Sequence, residues 1–305
     1  MTTSRLYQAS ARQAMPRPFL KWAGGKTRLL PILLAYAPHD FRNYHEPFLG
    51  GGALFFALYR LGRIRQAFLS DINAELMDTY RALQCAVEEV IAYLEQYPHS
   101  KEFYYALRAR DPWKMPLAER AARMIYLNKT GYNGLYRVNK RGQFNVPFGR
   151  YKRPNYKDFD NLRAVAKALQ DNVHLKTASF EQVAKGVREG DFVYFDPPYD
   201  PVSATARFTQ YHASGFGKAE QQRLAEVFQQ LSKKGVKVML SNADTPFIRD
   251  LYHGLGEIIQ VHAPRFINSK GHKRGPQPEL LILNYTPQEA GRLLEAHSLY
   301  PPRTS

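Results

Sequence analysis

The spacing of hydrophobic positions changes several times along this chain, and the changes predict where its strands and helices lie. Short apolar runs bounded by glycine or polar residues predict strands at 43–49, 64–70, 173–177, 192–195, 236–240, 257–261 and 280–285. Apolar residues spaced three or four apart predict helices over 53–61, 73–97, 100–110, 116–127, 162–169 and 218–231. Alternating strands and helices are typical of an α/β domain, and the unbroken helical block predicts an insertion within it.

The strand over 192–195 is apolar at every position, which is typical of a strand buried on both faces in a parallel sheet. Asp196 follows at its carboxyl end, where open α/β sheets bind ligands. Pro197 and Pro198 then restrict the backbone, so Asp196, a proline carbonyl and the ring of Tyr199 can face one flat ligand bearing an amine. Taken alone, these four residues fit equally well an ordinary turn in which Asp196 is a local cap.

A second candidate site follows the strand at 43–49, where a glycine turn at 50–52 leads into a helix. Strand, glycine turn and helix open a nucleotide-binding βαβ unit. Phe55 stands where a dinucleotide fingerprint requires glycine or alanine, which disfavours a pyrophosphate ligand. Asp71 lies nineteen positions beyond Gly52, a spacing typical of an acid that binds ribose hydroxyls.

Near the start of the chain, the segment Lys21-Trp22-Ala23-Gly24-Gly25-Lys26-Thr27 ends like a phosphate-binding loop. That motif requires glycine where this chain has Leu20, so a nucleoside triphosphate site is disfavoured. The favoured alternative is a turn in which Trp22 packs against a ligand and Lys26 meets a carboxylate, although Trp22 could also be a core residue.

The stretch 128–156 contains no Asp or Glu. It carries seven basic residues and six aromatic rings: Lys129, Arg137, Lys140, Arg141, Arg150, Lys152 and Arg153, with Tyr132, Tyr136, Phe144, Phe148, Tyr151 and Tyr156. Segments 135–139 and 143–147 flank Gly142 and predict a β-hairpin. Basic side chains neutralise phosphates and rings stack on or wedge between bases, so this pattern favours a nucleic-acid surface over a merely solvated face.

Composition supports a folded, nucleic-acid-binding protein. The chain of 305 residues has a formal net charge of +16 and a pI near 9.8, which favours a polyanionic partner. One cysteine, Cys85, excludes an internal disulfide and fits a reducing compartment. We expect a cytoplasmic protein with a loose basic arm over 1–18, no membrane span, no metal site and no obligate protein partner.

Several segments, in this order along the chain, resemble the Dam-type DNA adenine-N6 methyltransferases (D12 class, alpha group). The resemblance rests on KWAGGK at 21–26, EPFLGGGALFF at 46–56, SDIN at 70–73, the hairpin YNGLYR…FNVPFGRY and DPPY at 196–199. It implies an S-adenosylmethionine-dependent methyltransferase fold, a mixed sheet of seven strands with the last antiparallel. It also implies a cofactor-binding catalytic domain at 1–73 and 158–305, interrupted by a target-recognition domain at 74–157.

The resemblance also implies roles for individual residues. The catalytic residues would be Asp196, Pro197, Pro198 and Tyr199. S-adenosylmethionine would lie against Trp22, Lys26, Phe48, Gly50, Gly52, Asp71, Phe180 and Asp196. Double-stranded DNA, with GATC as the target, would meet Lys21, Tyr132, Asn133, Leu135, Arg137, Pro147, Arg150 and Tyr151. The chain departs from the family pattern at Lys140 and Gln143 in the hairpin and at Ser179 and Phe180 near the cofactor adenine.

The expected chemistry follows from the target atom. Adenine N6 is a weak nucleophile because its lone pair is delocalised, and Asp196 with the Pro197 carbonyl can accept its two hydrogens and localise that pair. The base must leave the duplex to be reached, and Tyr199 would stack on it. Cytosine-C5 methylation would need an attacking thiolate, and Cys85 lies within a helical stripe. Methylation of cytosine N4 or RNA, and an inactive DNA-binding regulator, remain the alternatives, and the biological role stays open.

Overall fold

The structure is a computed structural model that describes residues 14–170, 172–200, 216–262 and 278–287. Most of the basic arm predicted over 1–18 lies outside these described residues. None of the helices in the described ranges is long and apolar enough to cross a bilayer. Within the same ranges, no three His, Cys, Asp or Glu side chains are grouped so as to hold a metal ion.

Seven strands form one mixed sheet, as the resemblance implies. They are β1 (Tyr44–Glu46), β2 (Ala67–Asp71), β3 (Val173–Thr177), β4 (Phe192–Phe195), β5 (Lys237–Ala243), β6 (Glu257–Val261) and β7 (Glu279–Leu283). Their spatial order is β3-β2-β1-β4-β5-β7-β6, with β7 antiparallel to both of its neighbours and the other pairs parallel. This is the sheet of S-adenosylmethionine-dependent methyltransferases, so the predicted fold class is confirmed.

The two strands in the middle of the sheet are fully buried. Strand β4 is apolar throughout, whereas its neighbour β1 is buried at every residue although it carries His45 and Glu46. The edge strands β3 and β6 each have a single buried residue, and their other residues are partly or fully exposed. The chain runs outward from β1 through β2 to β3 and then returns to β4 on the other side of β1. The sheet therefore has its topological switch point between β1 and β4.

The helices cover the sheet and form the inserted block. They are α1 (Leu30–Tyr36), α2 (Ala53–Arg60), α3 (Ala74–Gln96), α4 (Lys101–Ala109), α5 (Leu117–Thr130), α6 (Phe159–Leu169), α7 (Val183–Gly186), α8 (Lys218–Lys233) and α9 (Pro246–Tyr252). Asn73 caps α3, since its Oδ1 accepts from the Leu76 amide at 3.0 Å. The sequence did not predict α1, whose N-cap Leu29 offers no side-chain hydrogen bond and whose apolar run has no helical spacing.

Helices α3, α4 and α5 pack around a buried ion pair. Arg123 of α5 is 1% exposed and donates to Oε1 of Glu75 at 2.7 Å and to the carbonyls of Leu107 and Arg108. Breaking such a pair would leave an uncompensated buried charge, so it holds the three helices in one arrangement. Because α3 also packs on β2, β3 and α6, the insertion is joined firmly to the sheet. The domain division at 73/74 and 157/158 stays a prediction.

The basic and aromatic stretch 128–156, the recognition segment, reverses direction as predicted, but it does not form the regular two-stranded ladder expected over 135–147. Two isolated antiparallel bridges, Val138 with Phe144 and Gly131 with Phe148, replace the ladder. The predicted stacking role also fails for part of the aromatic set, because Phe144 and Tyr156 are each only 6% exposed. A short irregular hairpin needs an apolar base to hold its shape, and these rings supply it against the helices.

Candidate active site

The ends of three strands bring carboxylates to one edge of the sheet. Glu46 ends β1, Asp71 ends β2 and Asp196 follows the last residue of β4. Since β1 lies between β2 and β4, the glycine turn that follows β1 has an acid on each side. This is the crevice beside the switch point, where α/β sheets bind their ligands.

The Asp196 carboxylate is held on one oxygen. Its Oδ1 lies 2.8 Å from Nζ of Lys26 and accepts from Oγ of Ser241 at 2.9 Å. Ser241 is itself within 3.0 Å of the Tyr194 hydroxyl. Among the described residues both polar contacts of this carboxylate go to Oδ1, which leaves Oδ2 for a ligand. Burial raises the pKa of Asp196, and Lys26 and Ser241 oppose that shift.

The Asp196–Tyr199 loop is anchored from behind. Gln221 donates to the Pro198 carbonyl at 2.9 Å, and the side chain of Asn242 donates to Gln221 at 3.0 Å. The Tyr199 hydroxyl donates to Glu279 at 2.5 Å, and Nζ of Lys26 lies 4.5 Å from the centre of the Tyr199 ring. These contacts fix the loop and leave the Pro197 carbonyl without a hydrogen bond from the described residues.

The glycine turn has the shape of a ligand cradle. Gly50 and Gly52 have φ values of 47° and 65°, the left-handed region that favours glycine. Asp71 accepts from the Gly50 amide at 3.0 Å and from the Asn73 amide at 2.9 Å, and the Tyr80 hydroxyl donates to the Gly50 carbonyl at 3.0 Å. The acid predicted to bind ribose hydroxyls therefore also fixes the turn, and its contact with a ribose stays a prediction.

Trp22 lies on this turn. A Cβ added at Gly50 would come within 2.7 Å of Cδ1 of the indole, so only glycine allows the close approach. The opposite neighbour of Trp22 is Tyr136 of the recognition segment, stacked at 5.3 Å with an interplanar angle of 27°. The indole thus separates the glycine turn from the hairpin, and the predicted contact of Lys26 with a carboxylate is present at Asp196.

Phe48 and Phe180 stack on each other at 5.4 Å, and Phe216 meets both rings edge-on. Phe180 is only 6% exposed, so most of its surface is buried in this aromatic cluster.

Next to Asp71, Ile72 is 61% exposed, which is unusual for a large apolar residue at the end of a strand. It offers an apolar face at the lip of the cradle that the sequence interpretation missed.

Most of the predicted DNA contacts lie on the accessible surface of the recognition segment. Tyr132 is 52% and Leu135 39% exposed, and Lys21, Asn133, Pro147 and Arg150 are exposed as well. Asn133 adopts a left-handed φ of 54°, which presents its side chain at the tip of a tight turn. Partly exposed Arg137 donates to Oδ1 of Asn145 at 2.7 Å, and partly exposed Tyr151 accepts from Nζ of Lys21 at 3.2 Å.

Comparison with known proteins agrees with this geometry. The sequence model of the D12 class N6 adenine-specific DNA methyltransferases matches residues 22–267. The chain belongs to this family. It is therefore a DNA adenine methyltransferase, an enzyme that acts on DNA with a methyl donor of the S-adenosylmethionine type.

Three relatives show how far this adenine methyltransferase resembles characterised proteins. The type II methyltransferase M1.LlaDCHI of Lactococcus lactis subsp. cremoris is 42% identical over 276 residues, covering 88% of this chain and 95% of the relative. The type II methyltransferase M.MjaIII of Methanocaldococcus jannaschii is 42% identical over 288 residues, covering 88% and 99%. The DNA adenine methylase of Escherichia coli (strain K12) is 36% identical over 280 residues, covering 88% and 95%.

The adenine methyltransferase also buries an acid that the sequence interpretation did not single out. Glu46 is 3% exposed below the glycine turn and accepts from the Tyr44 hydroxyl at 2.9 Å. Burial raises its pKa to about 8, although the hydrogen bond from Tyr44 opposes the shift. Glu46 is therefore expected to keep its proton near neutral pH.

We expect Glu46→Gln to change how stability depends on pH. Between the ordinary value of 4.5 and the folded value of about 8, the folded chain keeps a proton that the unfolded chain has lost. Stability from this group therefore falls as pH rises through that window. Glutamine has no proton to lose, so its contribution to stability does not fall with pH. Toward the upper end of this pH window, thermal unfolding should therefore show Glu46→Gln becoming more stable relative to the parent. Exposed Glu95→Gln is the control, and an equal effect of Glu46→Gln at both ends of the window would contradict the expectation.

Three further residues in contact with the candidate site or its anchors escaped the sequence interpretation: Ser241, Asn242 and Glu279. Ser241 and Asn242 lie near the end of β5, next to β4, so the rule that strand ends carry ligands could have indicated them. Glu279 opens the antiparallel strand β7, and no local signal marks it. It reaches Tyr199 only because β7 pairs antiparallel with β5.

Proposed function

We propose that this enzyme transfers a methyl group from S-adenosylmethionine to N6 of an adenine that has been flipped out of duplex DNA, and that its target is GATC. The observation that carries the proposal is the Asp196 carboxylate. It lies beside the glycine turn, its side chain is 18% exposed, and Lys26 and Ser241 orient it through Oδ1.

The residues of the cradle fit the methyl donor. Gly50 and Gly52 give a turn without side chains, Asp71 provides carboxylate oxygens within reach of hydroxyls, and Ile72 provides an exposed apolar surface. Trp22 closes the side of the turn toward the recognition segment. When bound, S-adenosylmethionine supplies an electrophilic methyl group on its sulfonium. The chain would contribute position and polarity, without a covalent intermediate.

The loop after β4 would activate the target amine. Oδ2 of Asp196 and the Pro197 carbonyl each accept one N6 hydrogen, and together they favour a tetrahedral nitrogen with a localised lone pair. The anchoring of Pro198 by Gln221 would keep the two acceptors at a constant separation. The ring of Tyr199 would stack on the base, with its hydroxyl held by Glu279. A base inside a duplex cannot reach these groups, so the adenine would be flipped out.

The recognition segment would supply the target sequence. Exposed Tyr132 and Leu135 can enter the groove or the base stack, while Lys21, Arg150 and Tyr151 lie around them. The GATC target rests on the match of the hairpin residues to the Dam-type pattern, and a relative named DNA adenine methylase is 36% identical over 280 residues. Because type II relatives are at least as similar, the target is the part of the proposal that most needs a test.

The decisive experiment is to express the chain in cells without adenine methylation and to map modified bases in their DNA. We expect N6-methyladenine at GATC and nowhere else at comparable level. The variant Asp196→Ala, expressed at the same level, is the control and should leave the DNA unmodified. Methylated cytosine would favour the cytosine-N4 alternative, and N6-methyladenine at another sequence would retain the chemistry and overturn the target.

Arg137 provides a test of base reading. Its Nε and Nη2 donate to the side chain and the carbonyl of Asn145, which orients the guanidinium. If it reads a base, Arg137→Ala should lower the preference for GATC over a scrambled duplex roughly 5- to 100-fold, as expected for the loss of one bidentate base contact. Arg141→Ala, at the exposed turn of the same segment, should instead lower the affinity for the GATC duplex and for the scrambled duplex by the same factor. Competition binding measures this, and equal losses on both duplexes for Arg137→Ala would contradict base reading.

A further inference from the structure

Two adjacent residues bridge the two halves of the site. Lys21 lies on the recognition segment so closely that a Cβ added at Gly134 would be 2.2 Å from its Cδ. Its Nζ donates to the Tyr151 hydroxyl at 3.2 Å. Trp22 lies instead on Gly50 of the glycine turn. Neighbouring side chains of one short segment therefore face the proposed DNA surface and the proposed methyl-donor cradle.

A single buried amide holds this bridge. Asn128, in the last turn of α5, is 0% exposed. Its Oδ1 accepts from the Lys21 amide at 2.8 Å, and its Nδ2 donates to the Lys21 carbonyl at 2.8 Å and to the Gly134 carbonyl at 3.0 Å. If the amide group were rotated by 180°, its NH₂ would face the Lys21 amide and its oxygen would face two carbonyls, so all three hydrogen bonds would be lost. The network therefore allows one orientation of the Asn128 side chain.

The outer face of Trp22 is held as well. Tyr136 stacks on it, and the Tyr136 hydroxyl donates to Oε2 of Glu75 at 3.0 Å. Oε1 of Glu75 receives the buried guanidinium of Arg123 at 2.7 Å. The indole therefore lies between the glycine turn and an anchored ring. A displacement of the peptide held by Asn128 would move the indole relative to both.

We infer that Asn128 is a positioning residue that couples the two ligand sites, so that binding of DNA and binding of the methyl donor strengthen each other. The inference rests on the proposed function, which supplies the two ligands. Loss of the amide would leave the buried Gly134 carbonyl and the partly buried amide and carbonyl of Lys21 without these partners, and the Lys21 peptide would lose its defined position. DNA bound at Lys21 would then no longer fix the position of Trp22, and a methyl donor bound at Trp22 would no longer fix that of Lys21. Each ligand would therefore lose its effect on the affinity for the other.

The chain contains a matched control. Asn161 is 1% exposed; its Oδ1 accepts from the Arg17 amide at 3.0 Å, and its Nδ2 donates to the Arg17 carbonyl at 3.1 Å. This is the same pairing of amide and peptide on the same N-terminal segment, four residues before Lys21. Its hydrogen bonds go to Arg17 and not to the recognition segment or the glycine turn. Asn161→Ala therefore matches the expected loss of stability without touching the bridge.

The test measures binding and not turnover. Trp22 and Trp113 are the two tryptophans of the chain, so Trp113→Phe makes Trp22 the sole fluorescent reporter. In that background, affinity for S-adenosylhomocysteine is measured with and without a GATC duplex for the parent, Asn128→Ala and Asn161→Ala. We expect the duplex to tighten S-adenosylhomocysteine binding in the parent and in Asn161→Ala. In Asn128→Ala both ligands should bind about tenfold more weakly, equivalent to about 1.4 kcal/mol, and the duplex should no longer tighten S-adenosylhomocysteine binding.

Each outcome decides a different claim. If Asn128→Ala and Asn161→Ala keep the same coupling as the parent, or if the parent shows none, the inference is overturned while the proposed function stands. A parent that binds neither ligand overturns both. Should Asn128→Ala fail to fold, Asn128→Asp retains the acceptor for the Lys21 amide and loses both donated bonds. It should show the same loss of coupling, and retained coupling in that variant would also overturn the inference.

Discussion

Replacing Asp196 with alanine is expected to abolish methyl transfer and to leave binding of a GATC duplex close to that of the parent. The carboxylate would accept an N6 hydrogen as the nitrogen becomes tetrahedral, and it has no comparable role in holding the duplex. Losing one such preorganised contact lowers turnover roughly 100- to 1,000-fold, and the loss of the carboxylate charge adds to this. Single-turnover methylation and duplex binding measure the two quantities separately.

Asp196→Asn sharpens this prediction because of how the carboxylate is held. Lys26 and Ser241 both donate to Oδ1, so they would bind the amide oxygen of asparagine. The amide NH₂ would then occupy the place of Oδ2 and present a donor to an amine that needs an acceptor. We expect this variant to be as inactive as alanine. Asp250→Ala, at an exposed position of α9, is the control, and substantial activity in Asp196→Asn would contradict the proposed geometry.

The elements that carry this site were predictable for a physical reason. A strand buried on both faces is typically a continuous apolar run, so the run before Asp196 stands out in the sequence. The rule that ligands bind at the carboxyl ends of strands then selects Asp196 and Asp71 without knowledge of the strand order. The contact of Lys26 with a carboxylate was predicted too, but not which carboxylate, because that depends on how a loop near residue 26 crosses the end of β4.

What the sequence did not reveal depends on long-range pairing. Asn128 reads as one more polar residue near the end of an amphipathic helix, and only the folded chain places Lys21 and Gly134 beside it. Glu279 reaches Tyr199 through an antiparallel pairing that no local pattern marks. The rings of 128–156 were read as one class, whereas Phe144 is buried and Tyr132 is exposed. The number of aromatic residues in this stretch does not show which rings pack into the core of the hairpin and which stay exposed.

Replacing Lys26 with methionine is expected to lower turnover about 100-fold near neutral pH, by analogy with the removal of one preorganised donor. The larger interest lies in the pH profile. Burial raises the pKa of Asp196 and the ammonium of Lys26 is the main influence that lowers it. Without Lys26 the pKa of Asp196 should rise further, so the carboxylate forms only at higher pH. The acid limb of the profile should therefore move to higher pH, and part of the activity should return under alkaline conditions.

A merely structural role for Lys26 would lower activity by the same factor at every pH. The shift of the acid limb is therefore the measurement that identifies an electrostatic role, and an unshifted profile would contradict it. Lys237→Met is the matched control, because its Nζ donates to the Asp40 carbonyl at the amino-terminal edge of the sheet, opposite the site. Titrating S-adenosylhomocysteine into the Lys26 variant separates a second possibility: weaker binding at every pH would indicate that the same ammonium also contacts the methyl donor. The pH shift and the change in affinity would then report two functions of one side chain, each with its own measurement.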